Sequence, residues 1–226
     1  MPRRYAAFMV TDGKKHAVIR SMSHNPDLDH WEARFASADY RFGKAPNEFL
    51  VRCKPLLPRN GKALAVADGE GRNGVWLAMQ GLDVTSTDFS PSAQAKGGRL
   101  AAENHVAVNF VEADAHEWPY PEEAFDVVAE IFTQFSTPEK RPKKWAGMRR
   151  ALKRGGLLIL QGYTPKQLAY ATGGPKEIAQ LYTRDLLERA FGDYNDVHIV
   201  EEERELQEGP GHSGMSAVIG LTARKP

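Results

Sequence analysis

From about residue 60 to the end of the chain, short apolar runs alternate with longer stretches whose apolar residues recur at helical spacing. This alternation predicts strands joined by helices, the pattern of a parallel sheet with right-handed crossovers. Strands are predicted at residues 62–67, 82–87, 108–113, 125–131 and 157–161. Helices are predicted at residues 73–80, from Ser90 onward, at 138–152 and at 183–191, with Gly155 and Gly156 separating the third helix from the fifth strand.

Two further strands are predicted near the end of the chain, at residues 197–201 and 216–223. They flank a turn-rich segment around Gly209, Pro210 and Gly211, which indicates an antiparallel hairpin at one edge of the sheet. The predicted fold is therefore α/β and doubly wound, with a mostly parallel seven-stranded, Rossmann-like sheet. Residues 31–226 are predicted to form one domain, in which residues 31–58 make a helical cap over the strand ends.

Residues 1–30 are predicted to be a flexible extension without a packing role. This segment is basic and contains few acids, and its apolar stretch at residues 6–10 is too short for a secretory signal. A mitochondrial-type transit peptide is one alternative. Met22 as the native start of the chain is the interpretation that we favour.

Composition narrows the function classes. The net charge of the 226 residues is +1, so no overall field attracts the protein to nucleic acid or to an anionic membrane, and neither partner is predicted. Cys53 is the single cysteine, which excludes an internal disulfide and favours a cytoplasmic location. The basic run 141–154 is interpreted as the solvated face of a helix whose Trp145 and Met148 point to the core. No metal site is predicted.

Residues 69–74 match the pattern G-x-G-x-x-G and lie between a predicted strand and a predicted helix. Such a loop lets the backbone approach a ligand closely and directs a helix N-terminus at it. The alternative is a tight glycine turn that only packs the helix on the strand. The position of the loop at the carboxyl end of a strand favours a ligand site.

Two acids follow the next two predicted strands. Asp88 is placed to accept hydrogen bonds from ribose hydroxyls, or else to favour the dipole of the helix that Ser90 caps. Asp114 is placed to accept from an adenine amino group, or else is a strand-end acid at a helix start. Because parallel strands end at the same edge of a sheet, the loop and both acids are expected to converge. An NAD-binding domain shares the first two features and stays open as an alternative.

These features resemble the class I S-adenosylmethionine-dependent methyltransferases, in particular the tellurite-resistance-type branch. The resemblance runs from Trp31 to the C-terminus and is carried by residues 65–73, 84–90, 112–114, 125–128 and 152–157. It implies S-adenosylmethionine as the cofactor, with Arg41 or Lys44 pairing with the cofactor carboxylate. The other cofactor-binding residues that it implies are Gly69, Gly71, Asn73, Asp88, Phe89, Ser90, Asp114, Ala115 and Ile131.

The sequence departs from the family pattern at the first strand. Ala65 stands where the family usually has an acid, and Asp68 stands where cysteine is common. We expect Asp68 or Glu70 to receive the cofactor ammonium group instead.

The resemblance implies methyl transfer to a small-molecule acceptor, such as a thiol, a metalloid oxyanion or a small metabolite. The Asn/Asp-Pro-Pro-Tyr pattern of amide and adenine N-methyltransferases is missing from residues 131–135. Tyr163, His212 and Gln134 are the substrate-facing candidates, with an aromatic lid at Tyr163 and an exposed hairpin histidine at His212 as the alternatives. Two other functions stay open, an NAD-dependent oxidoreductase and a non-catalytic module that senses an adenosyl ligand.

Overall fold

The computed structural model describes residues 7–9, 16–18 and 26–226. Two short strands, β1 (Ala7–Met9) and β2 (His16–Val18), pair with each other in antiparallel fashion. The other residues of the predicted extension up to residue 25, and the predicted start at Met22, lie outside the described residues. Helical structure begins at Pro26 and not at Trp31, so the predicted boundary of the cap falls inside a helix.

One seven-stranded sheet forms the centre of the molecule, in the order β5-β4-β3-β6-β7-β9-β8. The strands β3 to β7 are parallel to one another, whereas β9 runs antiparallel to both of its neighbours, β7 and β8. This arrangement confirms the predicted fold class and the C-terminal hairpin. The strands are β3 (Lys62–Ala65), β4 (Asp83–Asp88), β5 (Asn109–Glu112), β6 (Phe125–Ile131), β7 (Leu152–Tyr163), β8 (Asn195–Gln207) and β9 (Ser213–Arg224).

Helices cover both faces of this sheet. On one face α2 and α3 bury Phe49 and Leu77 against the strands, and on the other α5 and α6 bury Met148 and Phe191. No helix among the described residues is both long and apolar enough to cross a membrane. The helices are α1 (Pro26–Phe35), α2 (Glu48–Arg52), α3 (Arg72–Met79), α4 (Pro91–Glu103), α5 (Arg141–Ala151) and α6 (Arg184–Phe191), with short 3-10 turns at Lys54–Leu56, Pro165–Ala169 and Ile178–Gln180.

The strand boundaries of the second half of the sheet differ from the prediction. Strand β7 already begins at Leu152, and Gly155 and Gly156 lie inside it at a register irregularity instead of breaking it. Their backbone groups pair with Lys225, because Gly155 N donates to the Lys225 carbonyl and Lys225 N donates to the Gly156 carbonyl. The hairpin strands are also longer than predicted. β8 forms the edge of the sheet and is largely exposed to solvent, so its acidic residues do not interrupt it.

The prediction of a solvated basic face on α5 is wrong for two of its residues. Trp145 and Met148 are buried as expected, but Arg141 and Lys144 are buried as well. Lys144 forms an ion pair with Glu130 on β6, with 2.6 Å between Nζ and Oε1. A helical repeat alone does not reveal such a partner, which comes from a different part of the chain.

Candidate active site

The carboxyl ends of four adjacent parallel strands surround a cavity of about 280 Å³. Gly69 follows β3, Asp88 ends β4, Asp114 follows β5 and Ile131 ends β6, and all four line the cavity. The structure therefore brings together the loop and the two acids that the sequence predicted to converge. The site is at the edge of the sheet where α/β folds bind their ligands.

Only the first of the three motif glycines faces the cavity. Gly69 has a φ of 58° and donates its N–H to Asp88 Oδ2 at 2.9 Å. Gly71 does not line the cavity, and its φ of 83° and its closeness to Gly97 both require glycine, because an added Cβ would lie 2.8 Å from Gly97 Cα. An added Cβ at Gly74 would lie 2.6 Å from Asp68 Oδ2. The second and third glycines therefore allow close packing, which is the role that the alternative interpretation gave to the whole motif.

Asp88 is held in a fixed orientation at the floor of the cavity. Its two carboxylate oxygens accept hydrogen bonds from Gly69 N and Ser90 N, both at 2.9 Å. Burial raises the pKa of Asp88 to about 6, and the negative charges of Asp68 and Glu32 raise it further. Ser90 itself does not line the cavity, since its hydroxyl caps α4 by accepting from Ala93 N at 3.1 Å.

The two acids proposed for the ammonium group differ in their environment. Asp68 lines the cavity, and its Oδ2 accepts from Gly74 N at 2.9 Å and from Ser86 Oγ at 3.0 Å. Burial raises the pKa of Asp68 to about 6. Glu70 is instead paired with Lys96, with 2.7 Å between Oε1 and Nζ. The charge of Glu70 is therefore already neutralised, which leaves Asp68 as the better partner for a cation.

The two cations predicted for the cofactor carboxylate lie elsewhere. Lys44 forms an exposed ion pair with Glu103, with 2.6 Å between Nζ and Oε2, and does not line the cavity. Arg41 does not line it either, although its backbone N–H donates to Glu70 and its carbonyl accepts from Gly211 N. The segment around these residues fastens the cap to the glycine loop and to the β8–β9 turn.

The third acid is tied to a histidine that the sequence did not single out. Asp114 Oδ1 accepts from the backbone N–H of His116 at 2.8 Å and contacts its Nδ1 at 3.0 Å. These hydrogen bonds hold the pKa of Asp114 below its ordinary value. Phe89 and Ala115, both implied by the resemblance, also line this end of the cavity.

Aromatic rings form the outer wall of the cavity. Trp31 and Phe35 come from α1, Phe42 from the following loop, and Phe132 and Phe135 from the segment after β6. Trp31 stacks on Phe35 with 5.6 Å between ring centroids, and Phe42 lies 4.6 Å from His212. The sequence predicted a cap over the strand ends but gave no spacing that assigned Phe132 and Phe135 to the same wall.

Of the three substrate-facing candidates, only His212 lines the cavity. Gln134 is used structurally, because its Nε2 donates to the Tyr163 carbonyl at 2.9 Å and its Oε1 accepts from Tyr163 N at 2.5 Å. Tyr163 is buried behind the wall, with its hydroxyl hydrogen-bonded to Nδ1 of His212. His212 is itself buried, so it is not an exposed hairpin histidine.

A buried polar network that the sequence did not predict connects the elements around the site. Arg72, at the start of α3, pairs with Glu208 after β8, with 2.6 Å between Nη2 and Oε2. Asn47 donates from Nδ2 to Glu208 at 2.9 Å and to Gln161 at 2.7 Å, and its backbone N–H donates to Asn73 Oδ1 at 3.0 Å. These bonds join the cap, the glycine loop, β7 and the β8–β9 turn into one unit.

Residues 63–156 match a family model described as a methyltransferase domain. This segment of the chain is therefore a methyltransferase domain. The matched residues contain the glycine loop and both strand-end acids.

A curated relative of the chain is the demethylmenaquinone methyltransferase of Thermus thermophilus. The two are 30% identical over 148 residues, which are 65% of this chain and 59% of the relative. The chain spans between 40% and 59% of the length of the curated relatives that it matches.

Solved structures of methyltransferases share the fold of the chain. TehB from Haemophilus influenzae aligns with a TM-score of 0.64 at 15% identity, covering 97% of this chain and 84% of TehB. The phosphoethanolamine N-methyltransferase 2 of Haemonchus contortus, in complex with phosphomonomethylethanolamine and S-adenosylhomocysteine, aligns with a TM-score of 0.67 at 17% identity, covering 94% of this chain and 62% of that one. At these identities the likeness is one of fold.

Proposed function

We propose that the protein transfers a methyl group from S-adenosylmethionine to a small, neutral acceptor with an aromatic or apolar body. The observation that carries the proposal is the convergence of Gly69, Asp88 and Asp114 on one cavity that also has an aromatic wall. The bound cofactor supplies a methyl group already activated on a sulfonium. The protein has to orient the acceptor and keep water out, and orientation alone is worth about 7–11 kcal/mol in well-aligned systems.

The residues at the strand ends fit the chemistry of the cofactor. The Asp88 carboxylate would hold the ribose hydroxyls, Asp114 and Ala115 would contact the adenine, and Phe89 would flank it. Asn73, Gly69 and Asp68 would hold the amino acid end, with Asp68 taking the ammonium group in place of the acid that Ala65 replaces. Ile131 would lie beneath the sulfonium.

The charges around the cavity favour a cationic cofactor and a neutral acceptor. Among the described residues, five acidic and two basic side chains line the cavity. Of the two basic residues, Arg72 is paired with Glu208, and Lys140 lies 4.0 Å from Asp27. An anionic acceptor would gain no unpaired cation there, whereas a planar apolar acceptor would pack on the aromatic rings.

Membership of the tellurite-resistance-type branch is a separate proposal, and the alignment of nearly the whole of this chain with TehB supports it. The same charge balance argues against tellurite, a metalloid oxyanion, as the preferred acceptor. The relative that acts on demethylmenaquinone points to an aromatic quinol. We also propose a cytoplasmic location and no nucleic-acid partner, on the basis of the single cysteine and the near-zero net charge.

Methyl transfer from S-adenosylmethionine labelled in its methyl group tests this proposal. The acceptor panel consists of 1,4-naphthohydroquinone, thiophenol and tellurite. We expect labelled product from an aromatic acceptor at a higher rate than from tellurite. Transfer to tellurite alone would contradict the choice of acceptor. Tight binding of the cofactor without transfer to any of the three would favour the sensing module, and stabilisation by NAD alone would favour the oxidoreductase.

We expect cofactor affinity to fall as the pH decreases from 7 to 5. Burial raises the pKa of Asp88 and of Asp68 to about 6, so both carboxyls take up a proton below that pH. A protonated carboxyl loses both its charge and part of its capacity to accept hydrogen bonds. Because binding has to displace one such proton at low pH, we expect the dissociation constant of S-adenosylmethionine to be roughly tenfold higher at pH 5 than at pH 7. Calorimetric titrations at three pH values measure the effect.

The variant Asp88→Asn is the control for this pH dependence. Its amide does not titrate, so the change in affinity over the same pH range should become smaller. An unchanged slope in Asp88→Asn, or equal affinities of the wild type at pH 5 and pH 7, would contradict the assignment.

A further inference from the structure

The imidazole of His212 is fixed in the cavity wall between two phenylalanine rings. Its ring centroid lies 4.5 Å from that of Phe132 and 4.6 Å from that of Phe42. The backbone of the turn is also fixed, since Glu208 N donates to the His212 carbonyl at 2.8 Å and His212 N donates to the Gly209 carbonyl at 3.1 Å. The ring therefore presents one defined edge to the cavity.

His212 is electrically neutral in this environment. Burial, together with the cationic side chains of Arg72 and Arg41, lowers its pKa to about 3. A neutral imidazole has one nitrogen that donates and one that accepts a hydrogen bond. The role of His212 towards a ligand therefore depends on which nitrogen carries the proton.

Tyr163 decides between the two tautomers. Its hydroxyl is buried, and within residues 26–226 Nδ1 of His212 is its hydrogen-bond partner. Burial raises the pKa of Tyr163, so the phenol keeps its proton. A buried hydroxyl hydrogen without an acceptor is costly, and donation to Nδ1 satisfies it. The ring is also held in place by Gly174, where an added Cβ would lie 2.6 Å from Tyr163 Cδ2.

The proton of the imidazole is then on Nε2. Within the described residues Nε2 has no hydrogen-bond partner. Because His212 lines the cavity and its Nδ1 is already bonded, Nε2 is the ring nitrogen that can bind a ligand there. We propose that His212 binds the methyl acceptor by donating a hydrogen bond from Nε2–H to an oxygen or nitrogen lone pair of that molecule, and that Tyr163 is the positioning residue that fixes this tautomer. This inference rests on the proposed function and specifies the acceptor further.

In this tautomer His212 is a hydrogen-bond donor and not a general base. With Nδ1 occupied and Nε2 protonated, the ring has no lone pair with which to deprotonate an acceptor. The acceptor class is therefore a neutral, largely planar molecule with an oxygen or nitrogen lone pair for Nε2–H, such as that of a carbonyl, a phenolic hydroxyl or an imine-type nitrogen. Its nucleophilic atom reacts without passing a proton to His212.

Nitrogen NMR of the full-length protein, labelled with ¹⁵N in its histidines and saturated with S-adenosylhomocysteine, reads the tautomer without any methyl transfer. The His212→Gln variant identifies the His212 signals by their loss. At pH 7 we expect an imine-type shift for Nδ1 and an amine-type shift for Nε2. In Tyr163→Phe the single tautomer should give way to a mixture. A protonated Nδ1 with a bare Nε2 in the wild type would overturn the proposal.

A matched pair of ligands tests the hydrogen bond itself. Acetophenone carries a carbonyl oxygen, and α-methylstyrene has nearly the same shape without it. We expect the complex with S-adenosylhomocysteine to bind acetophenone more tightly than α-methylstyrene by roughly tenfold, the effect of about one hydrogen bond. His212→Phe should abolish the preference. His212→Gln, whose amide nitrogen can occupy the position of Nε2, should retain part of it.

Equal affinities of the wild type for the two ligands would overturn the role in acceptor binding. Calorimetry with S-adenosylhomocysteine on the same samples separates this failure from that of the proposed function. If S-adenosylhomocysteine does not bind, the proposed function fails. If it binds while Nε2 is bare, or while the two ligands bind equally, only the inference about His212 fails.

Discussion

Replacing Lys144 with methionine is expected to lower the free energy of unfolding by about 3–5 kcal/mol, because the change leaves a buried charge without its partner. The side chains of Lys144 and Glu130 are both fully buried. Glu130 also accepts from Trp145 Nε1 at 3.0 Å and from the Tyr182 hydroxyl at 2.9 Å, so the carboxylate cannot turn towards water. Urea denaturation of the wild type and the variant measures the difference.

Lys143 provides the matched control on the same helix. Its ion pair with Glu117 has a similar length of 2.6 Å but is well exposed, so Lys143→Met should cost at most about 1 kcal/mol. Removing both buried charges in Glu130→Leu/Lys144→Met should recover part of the loss. A cost in Lys144→Met no larger than that in Lys143→Met would contradict the account of this buried pair.

The second large effect is expected on cofactor binding. Changing Asp88 to alanine removes the carboxylate that we propose as the acceptor of the ribose hydroxyls, and two hydrogen bonds to a charged group are worth about 1.5–3 kcal/mol each. The dissociation constant of S-adenosylhomocysteine should therefore rise at least roughly 100-fold. Isothermal titration calorimetry measures it.

Asp83 is the control for this experiment, since it is exposed and begins the same strand that Asp88 ends. Asp83→Ala should bind S-adenosylhomocysteine like the wild type. Because Asp88 also accepts from Gly69 N and Ser90 N, circular dichroism has to show that Asp88→Ala is folded. A folded Asp88→Ala protein with affinity within threefold of the wild type would remove Asp88 from the site.

The convergence of the site was predictable from the sequence because it follows from topology. Once strands and helices alternate, parallel strands end at one edge, and the residues just after them meet there. Asp88, Asp114 and Gly69 are therefore found by their positions relative to the strand ends. Ser90 was identified as a helix cap by the same local logic, and the structure shows its hydroxyl accepting from Ala93 N.

Residues whose role depends on a distant partner were not predictable in this way. The spacing around Glu70 does not reveal that Lys96 neutralises it, nor does the helix around Lys144 reveal Glu130. Gln134 was a reasonable candidate from its place after β6, but its amide is satisfied by the backbone of Tyr163. Pairs separated by many residues form only when the sheet order brings their elements together.

A crystal structure of the protein with S-adenosylhomocysteine tests most directly whether the ends of three parallel strands form one adenosyl-binding site. We expect the adenosyl group to occupy the cavity at the ends of β3, β4 and β5, with the ribose hydroxyls on the carboxylate of Asp88 and the adenine beside Asp114. An adenosyl group bound away from these three strand ends, or a ribose that does not contact Asp88, would contradict the proposed site.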